Sequence, residues 1–130
     1  MLDHIRTFFR NLLQNPRWDS QGRLKYLLSR ESSAAACAVA GVSPASTKRA
    51  LRLFCDAFDI PDEQVFCLRP SDAINDIYRV MVAPTHDDME LERLWMNLGE
   101  AIGRPLTEGE FKSFVTITDL IRFVHENVVV

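Results

Sequence analysis

The chain has 130 residues, 47% hydrophobic and 25% charged, a length and balance that fit one globular domain, residues 1–130, with a real core. Cys37, Cys55 and Cys67 are odd in number and form no C-x-x-C, which argues against a disulfide framework or a zinc site and for buried, reduced thiols. The net charge of -3 hides a division: residues 1–52 hold nine Lys and Arg against three Asp and Glu, and residues 53–130 hold six against fifteen, a split that fits two surfaces for two partners, two halves that attract each other, or two differently charged solvated faces.

Residues 2–14 place Leu2, Ile5, Phe8, Phe9, Leu12 and Leu13 at steps of three and four with arginines between them, which predicts an amphipathic helix ended by Asn15-Pro16. Residues 18–22 read as a turn, residues 23–30 as a short helix with Leu24, Leu27 and Leu28 inward, and residues 31–40 as an alanine-rich helix. The longest apolar run, residues 34–42, is too short and too rich in alanine to span a membrane. Met1-Leu2-Asp3-His4 lacks the basic start and apolar centre of a signal peptide, so no membrane span and a cytoplasmic location are expected.

At Ala40-Gly41-Val42-Ser43-Pro44 a glycine suited to a helix C-terminal cap meets a serine and proline suited to open the next helix. With Ser46 and Arg49 following, this stretch resembles the helix-turn-helix of the lac repressor family. That resemblance implies, as an alternative, a DNA-binding regulator using residues 34–52, with Arg49 addressing nucleic acid.

Residues 46–58 continue as a helix with Ala50, Leu51, Phe54, Ala57 and Phe58 on one side. A long connection follows, and about ten of its residues, among them Ile77, Tyr78, Val80, Met81 and Val82, read as an added turn or strand-like cover. Residues 85–102 organise the rest: Leu91, Leu94, Trp95, Leu98 and Ile102 form an apolar stripe, and Asp87 and Asp88 stand where the free N–H groups of a first turn favour negative charge. Residues 103–108 are a stop and a fresh start. A short turn and a last amphipathic helix, capped by Thr116 or Thr118, then carry Phe111, Phe114, Ile117, Leu120, Ile121, Phe123 and Val124.

Asp87-Asp88-Met89 resembles the D-S-L signature of acyl carrier proteins, whose serine carries 4′-phosphopantetheine at the head of the second helix, with Asp88 in place of that serine. Phe58-Asp59-Ile60 followed by Glu63-Gln64-Val65 is similar to the apolar-Gly-apolar turn and acidic segment after the family's first helix. Phe114, Thr116, Ile117, Ile121, Phe123 and Val124 stand at places of its I-x-T-V-x-x-x-I-x-Y-I pattern.

The resemblance covers about residues 46–126. It implies an all-α, carrier-protein-like four-helix bundle over residues 46–130, to which residues 1–45 add an N-terminal helical pair. It also implies loss of the carrier activity, since a carboxylate at position 88 cannot form the phosphodiester, and so no cofactor. What remains is a non-catalytic interaction module that offers Asp87, Asp88, Met89, Glu90, Glu92 and Glu100 to a protein partner with a basic patch; Arg93 and Gly99 replace positions that are commonly acidic. Because carrier-type cores can open, a lipid-binding bundle is a further alternative.

The residues themselves offer no enzyme. No P-loop, G-x-S-x-G or H-E-x-x-H is present. His86, Asp87, Asp88 and Glu90 form the only dense polar cluster, and at a solvated helix start they read as capping and surface charge rather than as a metal site.

Overall fold

The computed structural model describes residues 29–74, 76, 77 and 89–128, and these are all helix, turn and loop, without a strand. The helices expected over residues 2–14 and most of 23–30, the cover expected over residues 78–82, and the cluster of His86, Asp87 and Asp88 lie outside the described residues.

Helix α1, Pro44–Ala57, starts as its sequence requires. Gly41 takes the left-handed φ of +80°, the Ser43 hydroxyl accepts from the Ser46 N–H at 3.1 Å, and Pro44 occupies the first turn, where its missing N–H costs nothing. The helix buries Thr47, Ala50, Leu51, Phe54, Cys55 and Ala57. It ends through Asp59, a non-glycine residue at φ +56°, which lets the Ile60 N–H reach back to the Cys55 carbonyl at 2.9 Å.

A 3-10 turn, Asp62–Cys67, buries Val65 and Cys67. Beyond it the chain is laced to the start of the last helix: the Ile117 N–H donates to the Asp72 carbonyl at 2.9 Å, the Ile74 N–H to Val115 at 3.0 Å, and the Thr118 N–H and hydroxyl both to Pro70 at 2.9 Å. Ile74 and Ile77 are buried against the core.

Helix α2, Met89–Ile102, buries Leu91, Leu94 and Leu98, as the expected phase requires, while Trp95 and Ile102 are only partly covered at the edge of the core. Gly103, at φ +79°, ends it. Helix α3, Glu108–Lys112, and helix α4, Ile117–Asn127, are each opened by a capping box, Thr107 with Glu110 and Thr116 with Asp119. Between the two expected threonines it is therefore Thr116 that caps. A chain of rings joins three helices: Trp95 to Phe111 at 4.9 Å between centroids, Phe111 to Phe114 at 5.9 Å and Phe114 to Phe123 at 5.0 Å, the spacing at which aromatic pairs attract beyond their burial.

The helix expected over residues 31–40 is replaced by a single 3-10 turn, Ala35–Cys37. Tertiary bonds outcompete alanine propensity here. The Ser33 N–H is taken by the Phe66 carbonyl at 3.0 Å, the Glu31 carbonyl by the Arg69 guanidinium at 2.6 Å, and the Cys37 thiol by the Leu68 carbonyl at 2.9 Å. Cys37 and Val39 are buried and Ala38 and Ala40 exposed, the alternation of an extended segment. Arg30 clamps the same region from one side, donating to both oxygens of Asp72 at 2.9 and 2.6 Å.

Candidate functional site

Of the six residues expected to meet a partner, Asp87 and Asp88 lie outside the described residues, and Met89 is described only as the first residue of α2. The other three are separated by the helix. At 100° per residue, Glu92, Met96 and Glu100 follow one another along one outer stripe, whereas Glu90, Arg93 and Asn97 run along the flank that meets the end of α1. Glu90 is half-buried, and one of its carboxylate oxygens has no hydrogen-bond partner among the described residues.

On the inner flank Arg93 donates to both oxygens of Asp59, at 3.0 and 2.9 Å. That hydrogen bonding holds the Asp59 carboxyl below its ordinary range and pushes the Arg93 guanidinium up. The pair ties the turn after α1 to the second turn of α2 across 34 residues of chain. The pair is solvated, and its value is orientation more than stability. Asn97 donates from the same flank to the Leu53 carbonyl of α1 at 3.5 Å.

The outer flank is open. Met96 is 68% exposed. It joins Trp95, Gly99, Glu100, Arg104 and Pro105 around a groove of about 480 Å³. A Cβ at Gly99 would stand 3.2 Å from the Arg104 carbonyl oxygen, a tight contact, where the chain doubles back across α2. Among the described residues Glu100 has no ion-pair partner, whereas Arg104 is bound on both guanidinium branches by Glu110 at 2.9 and 2.8 Å. The hydrogen bonds from Arg104, with those from Thr107, bring the Glu110 carboxyl down to about 2. The groove thus combines an apolar floor with one unneutralised carboxylate. Sequence reasoning missed it because Met96 sits one residue out of phase with the apolar stripe, and that phase error was its only signal.

On α1 the turn at Gly41 is present, but a helix-turn-helix over residues 34–52 is not formed, since residues 35–37 make one 3-10 turn where the first helix would be. Lys48, Arg49 and Arg52 are exposed on the outer side of α1. The His125 Nδ1 lies 3.1 Å from the Ser46 hydroxyl, but that hydroxyl also bonds Ser43 at 3.0 Å and belongs to the helix cap. The described residues hold no group of three His, Cys, Asp or Glu able to bind a metal ion, and no helix among them is long and apolar enough to cross a membrane.

Compared with protein-family models, curated proteins and solved structures, the chain finds no match.

Proposed function

We propose that the chain is a non-catalytic, acyl-carrier-protein-like interaction module that lacks the phosphopantetheine attachment serine and binds a protein partner through α2. The observation that carries this reading is the outer stripe of Glu92, Met96 and Glu100 beside the groove: an exposed methionine between carboxylates fits a partner with an apolar knob ringed by basic side chains. Support comes also from the order of parts. A long α1 ends in a left-handed residue, a long α2 follows after a connection longer than the family's, α3 is short, and α4 opens at a threonine, the order that the resemblance implies for a four-helix bundle. The DNA-binding alternative is left with exposed cations but without its first helix.

The test restores what the sequence lacks. Asp88→Ser, incubated with coenzyme A and a broad-specificity phosphopantetheinyl transferase, gains the mass of the arm, and the parent gains none. Arg93→Gln is the companion variant, because Arg93→Glu would set a second carboxylate against Asp59. If Asp88→Ser stays folded by circular dichroism and gains no mass with or without Arg93→Gln, the carrier-derived face is wrong.

A further inference from the structure

A second cavity, sharing no residue with the α2 groove, lies where the first turn of α1 meets the segment around residues 34–42 and the 3-10 turn Asp62–Cys67. Its volume is about 470 Å³, within the range of small-molecule sites. Most of its lining is apolar: Ala35 and Ala38 contribute only methyl groups, Val42 a branched chain, and half-buried Phe66 an aromatic ring. Small side chains let a rigid ring approach the backbone there, and a phenylalanine offers it stacking or edge contact.

Two polar residues break this apolar lining. Thr47 is 4% exposed, and its hydroxyl, without a hydrogen-bond partner among the described residues, lies beneath the cavity wall, so a ligand's charge meets Lys48 instead. Lys48 is exposed, and among the described residues its ammonium has no ion pair. The neighbouring exposed surface of α1 adds Arg49 and Arg52 against one carboxylate, Asp56, so the local field favours an anion. An apolar chamber with an ammonium at its side selects a compact apolar body carrying one negatively charged acceptor group.

We infer that this cavity binds a compact aromatic monocarboxylate, its ring among Ala35, Ala38, Val42 and Phe66 and its carboxylate on Lys48. The probe is 2-naphthoate, with uncharged 2-naphthamide as its control, titrated into the full chain by calorimetry and followed by amide chemical-shift mapping. Naphthoate is expected to bind more tightly than the amide, and its shifts to gather at residues 34–48 and 66. Lys48→Met, a change at an exposed position, weakens naphthoate about tenfold, the scale of one charge-assisted contact, and leaves the amide unchanged. Ala38→Phe, also at an exposed position, fills the chamber and abolishes both. Absence of binding at millimolar naphthoate, shifts centred elsewhere, equal affinity for acid and amide, or full affinity in Lys48→Met or Ala38→Phe would each overturn the assignment. None of these results touches the α2 groove.

Discussion

Asp72 ties three parts of the chain together, and replacing it by alanine is the most informative single perturbation of the fold. Its carboxylate accepts from Arg30 at 2.9 and 2.6 Å and from the Arg69 N–H at 2.8 Å, and its side chain is only 9% exposed. Hydrogen bonds to a charged group contribute about 1.5–3 kcal/mol each, and removing one member of a buried ion pair costs about 3–5 kcal/mol because the other charge stays desolvated. Arg30 keeps 18% of its side chain in water, so the low end applies, and Asp72→Ala should cost about 3 kcal/mol. Asp72→Asn, which keeps one acceptor oxygen, should lose roughly half of that. Urea unfolding followed by circular dichroism measures both, and the cycle with Arg30→Met isolates the coupling. A loss below about 1 kcal/mol in Asp72→Ala, or no coupling in the cycle, would show that the segment around residue 30 is not held by this pair.

Three other outcomes are expected. Leu98→Ala, at a fully buried position on the inner face of α2, should lower stability by about 2–5 kcal/mol in the same assay, and a neutral result would mean the helix phase is wrong. Burial pushes the Cys55 thiol up to about 12, so at pH 8 a disulfide reagent should leave Cys55 unmodified in the native protein and react with it after denaturation; peptide mapping reads the site. Glu110 holds its proton more weakly when folded, at about 2 against an ordinary 4.5, so its pairing with Arg104 favours the native state above pH 4.5 and that gain fades as the pH falls towards 2. Glu110→Gln should flatten the acid limb of the stability curve there, and an unchanged limb would refute the pairing.

Local rules made much of this fold legible. The stripe Leu91, Leu94 and Leu98, the serine–proline opening of α1 and the threonine cap of α4 all depend on residues within one or two turns of each other, where periodicity and capping act. What escaped depends on distance along the chain. Arg30 and Asp72 are 42 residues apart, Asp59 and Arg93 are 34 apart, and no spacing rule pairs them. The segment around residues 31–40 was misread for the same reason, because its carbonyls, amides and thiol are claimed by residues 66–69. Within the candidate site, the acids Glu92 and Glu100 could be read from sequence, whereas Met96 became visible only once Pro105 and Arg104 were seen folded against the helix.

Trp95 belongs to two neighbourhoods at once. One side of the indole rests on Phe111 of the five-residue helix α3, and the ring also walls the groove beside Met96. A visitor in the groove must therefore press against the surface that α3 leans on, and a loosening of α3 must alter the wall that the visitor feels. With Trp18 changed to phenylalanine, Trp95 is the remaining tryptophan, and the colour of its emission becomes a label-free meter of both events.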